Sequence, residues 1–329
     1  MSEEDGRAGL FSKELRYLDM LFYDILFVVM KMKKVLLIGS TVCDMILYLD
    51  HLPVTQEDVH PEKQITRIGG CAFNAAHVVA HLGVPYEFVS PIGTGVYGEF
   101  VRNEIKHHGV NTSVFVQEEN GSCMCFVEKG GERTFLSVHG AEYGFKKEWL
   151  DELDLADVNY GYLCGLEVED RDGQNLIDAV KTLNIKFLFA PGPRLMHIPL
   201  ERMNQLFELG VMLHLNDDEA LRFTKKKSVE DAAVCLYEKT RNEVIITCGS
   251  KGCLLYDGHH HWVLSEPVKV KDTIGAGDSH AGAVLAALSC GKSMIEALRF
   301  ANVVAGKVVQ TSASVLDECE FEHLKPYLK

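Results

Sequence analysis

Positive charge is scarce in this sequence: its 329 residues carry 33 Lys and Arg against 47 Asp and Glu, a formal net charge of −14. Without clustered cations a protein releases no counterions from a polyanion, which excludes broad binding to nucleic acid or to an anionic membrane. Any phosphate bound here must be held locally, by backbone amides, a metal or a few cations. Also missing is an uninterrupted apolar run near the roughly twenty residues that span a bilayer. The opening stretch, MSEEDGRAGLFSKELRYLDMLFYDILFVVM, starts acidic and ends in a short apolar run broken by Asp24. A secretory signal starts basic and closes on small residues, so residues 1–32 read as an N-terminal extension. It is either a helix docked on the body or a product of start-site choice, with Met30 or Met32 as alternative starts.

None of the ten cysteines forms a CxxC pair. Most, such as Cys123, Cys125 and Cys248, lie in apolar runs and read as reduced core thiols of a cytoplasmic protein. The triplet His259 to His261 lacks companion ligands at finger spacing and reads as part of an exposed hairpin. Repeats, low-complexity segments and Pro- or Ser-rich linkers are absent too. One globular body is expected over residues 33–329, with 47% hydrophobic residues to fill its core.

What the chain does contain is alternation. Short apolar runs (VLLIGS, YEFVSPIG, YGYLCG, KFLFAPG, VMLHLN, EVIITCG) are separated by segments of helical period. Ala72, Ala75, Ala76, Val79 and Leu82 share one face of a helix that Gly83 ends. Further helices fit 98–108, 173–183, 199–209, 229–241, 278–290 and 294–310. Strand and helix in this repetition predict an α/β fold, a mainly parallel sheet with helices on both faces and ligands at the carboxyl ends of its strands. Residues 45–68 and 112–138 break the rhythm. TSVFVQ, CMCFVEKG and RTFLSV, with turns at Gly121 and at Gly130 and Gly131, read as consecutive strands of a small β-sheet lid.

Three segments could hold phosphate. IGTGVYGEF has Gly93, Gly95 and Gly98 in GxGxxG register, but it follows the second strand, and the acid expected about twenty residues on would be Glu118 or Glu119, inside the lid. CGKS at Cys290 to Ser293 has Ala286 where a phosphate loop needs Gly, so it reads as a helix end at Gly291 and a new N-cap at Ser293. The third, DTIGAGDSHAGAVLAAL, is the informative one. Gly275, Ala276 and Gly277 let backbone amides converge on an anion where an apolar helix turns its positive end. Asp278 beside them serves either as an N-cap or as a base toward an attacking hydroxyl.

The segment DTIGAGDSHAG resembles the C-terminal signature of the ribokinase-like, or PfkB, carbohydrate kinases, and GGCAFNAAHVVAHLG at Gly69 to Gly83 resembles their N-terminal one. The similarity of layout runs over residues 33–325. It implies an ATP-dependent kinase phosphorylating a sugar hydroxyl, with Asp278 as base and Gly275, Ala276 and Gly277 as the anion hole. It further implies substrate contacts at Asp44, Gly69, Gly70 and Asn74, and an NxxE pair, Asn216 and Glu219, organising magnesium beside the phosphates. On the ATP side it implies Thr247, Gly249, Gly252 and Asn302, the last beside the adenine. Asp272 and the backbone near Ile274 match a monovalent-cation loop of some members, which would make potassium an activator. In such proteins lid strands often pair across a homodimer.

Taken singly, these residues have plainer uses: Asp44 in a turn, Asn74 on a polar helix face, Asn216 as a cap, Glu219 as a first-turn acid. The sequence also departs from the family pattern. Gly95 stands where many members carry Asp, and Cys71 where several have Lys, which disfavours an acceptor that is already phosphorylated. His139 and Glu142 fall near the expected pocket mouth. Two rival readings stay open, a nucleoside kinase on the same scaffold and a non-catalytic sugar or nucleotide sensor.

Overall fold

The computed structural model describes residues 32–130, 132–311 and 315–328. The extension expected over 1–32 lies, except for Met32, outside the described residues, as does Gly131 of the expected turn. The strands are β1 (Lys34–Ile38), β2 (Val42–Leu49), β3 (Lys63–Gly69), β4 (Tyr86–Val89), β5 (Ile92–Thr94), β6 (Phe115–Glu119) and β7 (Ser122–Glu128). They continue as β8 (Arg133–Val138), β9 (Val158–Cys164), β10 (Lys186–Ala190), β11 (Met212–Asn216), β12 (Val244–Thr247), β13 (Cys253–Tyr256) and β14 (His260–Val263). The helices are α1 (Cys71–His81), α2 (Gly95–His107), α3 (Glu148–Asp151), α4 (Gly165–Glu169), α5 (Gly173–Val180) and α6 (Leu200–Glu208). After them come α7 (Asp217–Thr224), α8 (Val229–Thr240), α9 (Ala276–Ser289), α10 (Met294–Val308) and α11 (Glu318–Leu324).

An eight-stranded sheet in the order β14-β13-β12-β11-β10-β9-β1-β4 forms the centre. It is parallel from β4 to β12, and β13 and β14 close it antiparallel. Strand periodicity divides the core between its faces. Val35, Leu37, Tyr162 and Leu188 pack toward α1, α9 and α10, while Leu36, Ile38, Leu163 and Phe189 pack toward α5, α6 and α8. Both faces are covered by helices, as the apolar runs required. Among the described residues no helix is long and apolar enough to cross a membrane.

A second sheet, in the order β3-β2-β7-β8, stands beside the carboxyl ends of the central strands. Its β2 begins at Val42, only a few residues after β1. TSVFVQ departs from its expected place: β6 pairs in parallel with β5 and forms no rung of the four-stranded sheet. Glu118 and Glu119 therefore lie outside that sheet. Asn120 fixes this arrangement, its Oδ1 accepting the Gly93 amide at 2.6 Å and its Nδ2 donating to Glu142 at 3.2 Å.

Candidate active site

Helix α9 opens at Ala276 behind Gly275, whose φ of 75° is left-handed and natural to glycine. No side chain caps this end, so the first-turn amides lack an acceptor within the helix. A Cβ added to Gly277 would meet no atom within 4 Å. The Ala276 amide already donates to Thr273 O at 3.3 Å, while the open space at Gly277 and the positive end of a helix of fourteen residues could receive an anion without a charged side chain. Asp272 shapes the loop before it, its Oδ1 accepting Ile274 N at 2.8 Å and Arg133 Nη2 of β8 at 2.8 Å. Arg133 also donates to Thr273 Oγ1 at 3.3 Å. The Asp272 oxygen that the resemblance assigned to a potassium loop here faces a guanidinium from the second sheet.

Asp278 is the third residue of α9. It does not cap the helix; its Oδ2 accepts Asn74 Nδ2 at 2.9 Å. Burial pushes its carboxyl up to about 6, while hydrogen bonds from Asn74 and the Cys71 thiol pull the other way. Burial also raises Asp44 on β2, to about 7, with Arg67 lowering it and the charge of Asp278 raising it further. The two carboxyls are thus within electrostatic reach of each other. Gly69 makes room for Asp44, since a Cβ there would stand 2.0 Å from Asp44 Oδ2, and Gly70, with φ of 106°, lets the chain pass Ser40, since a Cβ there would stand 2.4 Å from Ser40 O.

Glu167 completes this wall and escaped the sequence reading, although an acid directly after a strand end, in YLCGLE, is the signal that could have found it. Its Oε1 accepts Ser40 N at 2.7 Å, and its Oε2 is buried with no partner. Ser40 Oγ, Asn74 Oδ1 and Tyr162 Oη are likewise buried and unpartnered. The thiols of Cys71 and Cys164 lie against these acids, Cys71 by Asp278 and Cys164 by Glu167. Buried polar atoms without partners are costly, and a molecule rich in hydroxyls would satisfy them.

On the other side, Asn216 and Glu219 form a reciprocal capping box, Asn216 Oδ1 accepting Glu219 N at 2.8 Å and Glu219 Oε2 accepting Asn216 N at 3.0 Å. Burial raises the Glu219 carboxyl, and the charge of Asp278 contributes, so the two acids are within electrostatic reach. Thr247 ends β12 beside them, donating to Leu215 O at 3.3 Å. Gly249 turns the chain with φ of 55°, and Gly252 packs so closely that a Cβ would lie 2.1 Å from Val263 O. Asn302 is only 8% exposed and its amide faces inward, Nδ2 donating to Val263 O at 3.0 Å and Oδ1 accepting from His280 Nε2 at 3.2 Å.

Other candidates have structural uses. His139 Nδ1 bonds Asp170 Oδ2 at 2.7 Å, and the buried Glu142 accepts Gly121 N at 2.7 Å and Gly140 N at 3.1 Å, so Glu142 braces the base of the second sheet. Gly95 starts α2, and Ser293 caps α10 in a box with Glu296. The His259 to His261 triplet sits in the β13–β14 hairpin. Among the described residues no group of three or more His, Cys, Asp or Glu is placed to hold a metal by itself.

Compared with known families, residues 32–318 match the model described as pfkB family carbohydrate kinase. The chain belongs to that family. This carbohydrate kinase is 31% identical over 284 residues to the uncharacterized sugar kinase YegV of Escherichia coli (strain K12), covering 84% of this chain and 88% of that one. Among solved structures it resembles a ribokinase from Thermotoga maritima with a TM-score of 0.77 at 25% identity, over 89% of this chain and 99% of that one. It also resembles Arabidopsis thaliana ribokinase complexed with ribose and ATP, with a TM-score of 0.74 at 23% identity over 89% of this chain and 98% of that one. The ribokinase fold expected from the sequence is thus the fold of this kinase.

Proposed function

We propose that this kinase transfers the terminal phosphoryl group of ATP to a hydroxyl of an uncharged sugar, with Asp278 as general base. The observation that carries the reading is the placement of Asp278: in the first turn of α9, beside the anion hole, and held by Asn74 instead of capping the helix. A carboxyl raised to about 6 is ionised at neutral pH yet more basic than an ordinary aspartate, which suits proton acceptance. Asn74 fixes one carboxylate oxygen, and the acceptor hydroxyl hands its proton to Asp278 as its oxygen attacks phosphorus. The amides of the Gly275 to Gly277 segment then stabilise charge on the equatorial phosphoryl oxygens.

Asp44, Glu167, Ser40 and Tyr162 would bind the remaining hydroxyls. Three acids around the acceptor, with Cys71 where several relatives have Lys, disfavour a phosphorylated or acidic sugar. This polar wall favours a sugar over a nucleoside, whose base needs an apolar surface. The carboxylate of Glu219, with retained waters, fits Mg2+, which when bound would neutralise charge on the phosphates. The second sheet acts as the lid, with Arg133 tying β8 to the loop before the anion hole and excluding water on closure. An ADP-release assay over neutral sugars, sugar phosphates and nucleosides, with and without potassium, tests the reading. Turnover confined to nucleosides or to phosphorylated sugars would overturn it, and ligand binding without ADP release would identify a sensor.

A further inference from the structure

Beyond the catalytic acids, the structure contains a buried polar chain that the chemistry above leaves unused. It runs from β11 through α9 and α10 to the end of β14. His214 Nε2 lies 2.9 Å from His280 Nδ1, His280 Nε2 lies 3.2 Å from Asn302 Oδ1, and Asn302 Nδ2 donates to Val263 O at 3.0 Å and Leu264 O at 3.4 Å. His214 is 5% exposed and His280 2%. The proton directions follow from one end. Because the amide of Asn302 is committed to two carbonyls, its oxygen must accept, so His280 carries its proton on Nε2 and leaves Nδ1 to accept from His214. Both rings are neutral, burial holding His214 well below the usual histidine range and His280 down to about 4.

Every element this chain joins borders the phosphate side of the cleft. His214 is two residues before Asn216, and His280 two after Asp278. Val263 and Leu264 open the segment that returns to α10, where Lys271 N donates to Val309 O at 2.7 Å. Leu264, Val268 and Val270 on that segment leave apolar side chains exposed, Val268 beside Gly306 of α10, the kind of surface on which a nucleotide base rests.

We infer that His280, held by His214, is a positioning residue for the nucleotide: through Asn302 it fixes the Leu264–Val270 segment that supports the base. This inference rests on the kinase reading above. The test compares His280→Phe, which keeps a ring but donates nothing, with His280→Gln, whose amide reproduces the Nε2 donor. His280→Phe should raise KM for ATP about tenfold, with kcat and the acceptor KM within about twofold of wild type, and His280→Gln should restore most of the loss. An unchanged KM for ATP in His280→Phe, or an equal rise in both variants, would overturn it. If His280→Phe does not fold, His280→Asn, too short to reach Asn302, serves in its place. Should the wild type transfer no phosphoryl group, the kinase reading fails separately, and the same variants are then read by calorimetric binding of a non-hydrolysable ATP analogue.

Discussion

At the scale of single residues, activity and stability make opposite demands on pH. Asp278 acts only when ionised, so kcat/KM should be full above neutrality and fall as pH drops through about 6; a flat profile to about pH 4.5 would remove it as the base. Stability runs the other way. Asp44 and Asp278 titrate above the ordinary 3.8, so they contribute stability below that value which is lost as pH rises through about 6 and 7. Asp278→Asn should therefore lower kcat by about 10²- to 10⁴-fold and melt no lower than wild type at pH 8, two readings available from one preparation. Gly277→Ala separates chemistry from folding in the same way. It should fold normally, since its Cβ meets open space, yet lose about 10²-fold or more in kcat because the methyl occupies the anion hole. Gly70→Ala should instead cost about 1–3 kcal/mol in denaturant titration, through its positive φ and the nearby Ser40 carbonyl.

At the scale of elements, much was legible because apolar period and glycine position are local signals. The expected helices at 173–183, 229–241 and 294–310 are α5, α8 and α10, each within a few residues of its observed end. The start of α9 could be read from the glycines at 275 and 277, whereas the non-capping role of Asp278 depends on Asn74, 204 residues away. The same limit hid Glu167, whose meaning comes from Ser40 across the sheet, and Arg133, which reaches Asp272 from another sheet. It also misplaced TSVFVQ: strand character was visible there, but strand partner is a tertiary fact. The Arg133 tie yields its own prediction. Arg133→Met should speed amide exchange along β8 and raise KM for ATP, leaving exchange in β9 and β10 unchanged.

At the scale of the whole molecule, β8 is an outer strand of the second sheet with Phe135, Leu136 and Val138 all more than half exposed. An apolar edge of that kind pairs readily with another strand. A homodimer through the lid would form at this edge, and in that case sedimentation should find Leu136→Lys lighter than wild type. Substrate choice and oligomeric state are properties of surfaces assembled from distant segments, which is why the sequence identified the reaction class more firmly than either.

A cradle made of amides acts only on what already touches it. Dipoles weaken steeply with distance, and the chain's surplus of 14 negative charges extends further into solvent than they do. The triphosphate thus meets a like-signed protein during its diffusional approach and is captured only at contact. Added salt should then quicken nucleotide association in stopped-flow traces, the reverse of the slowing seen where cationic funnels guide an anion home.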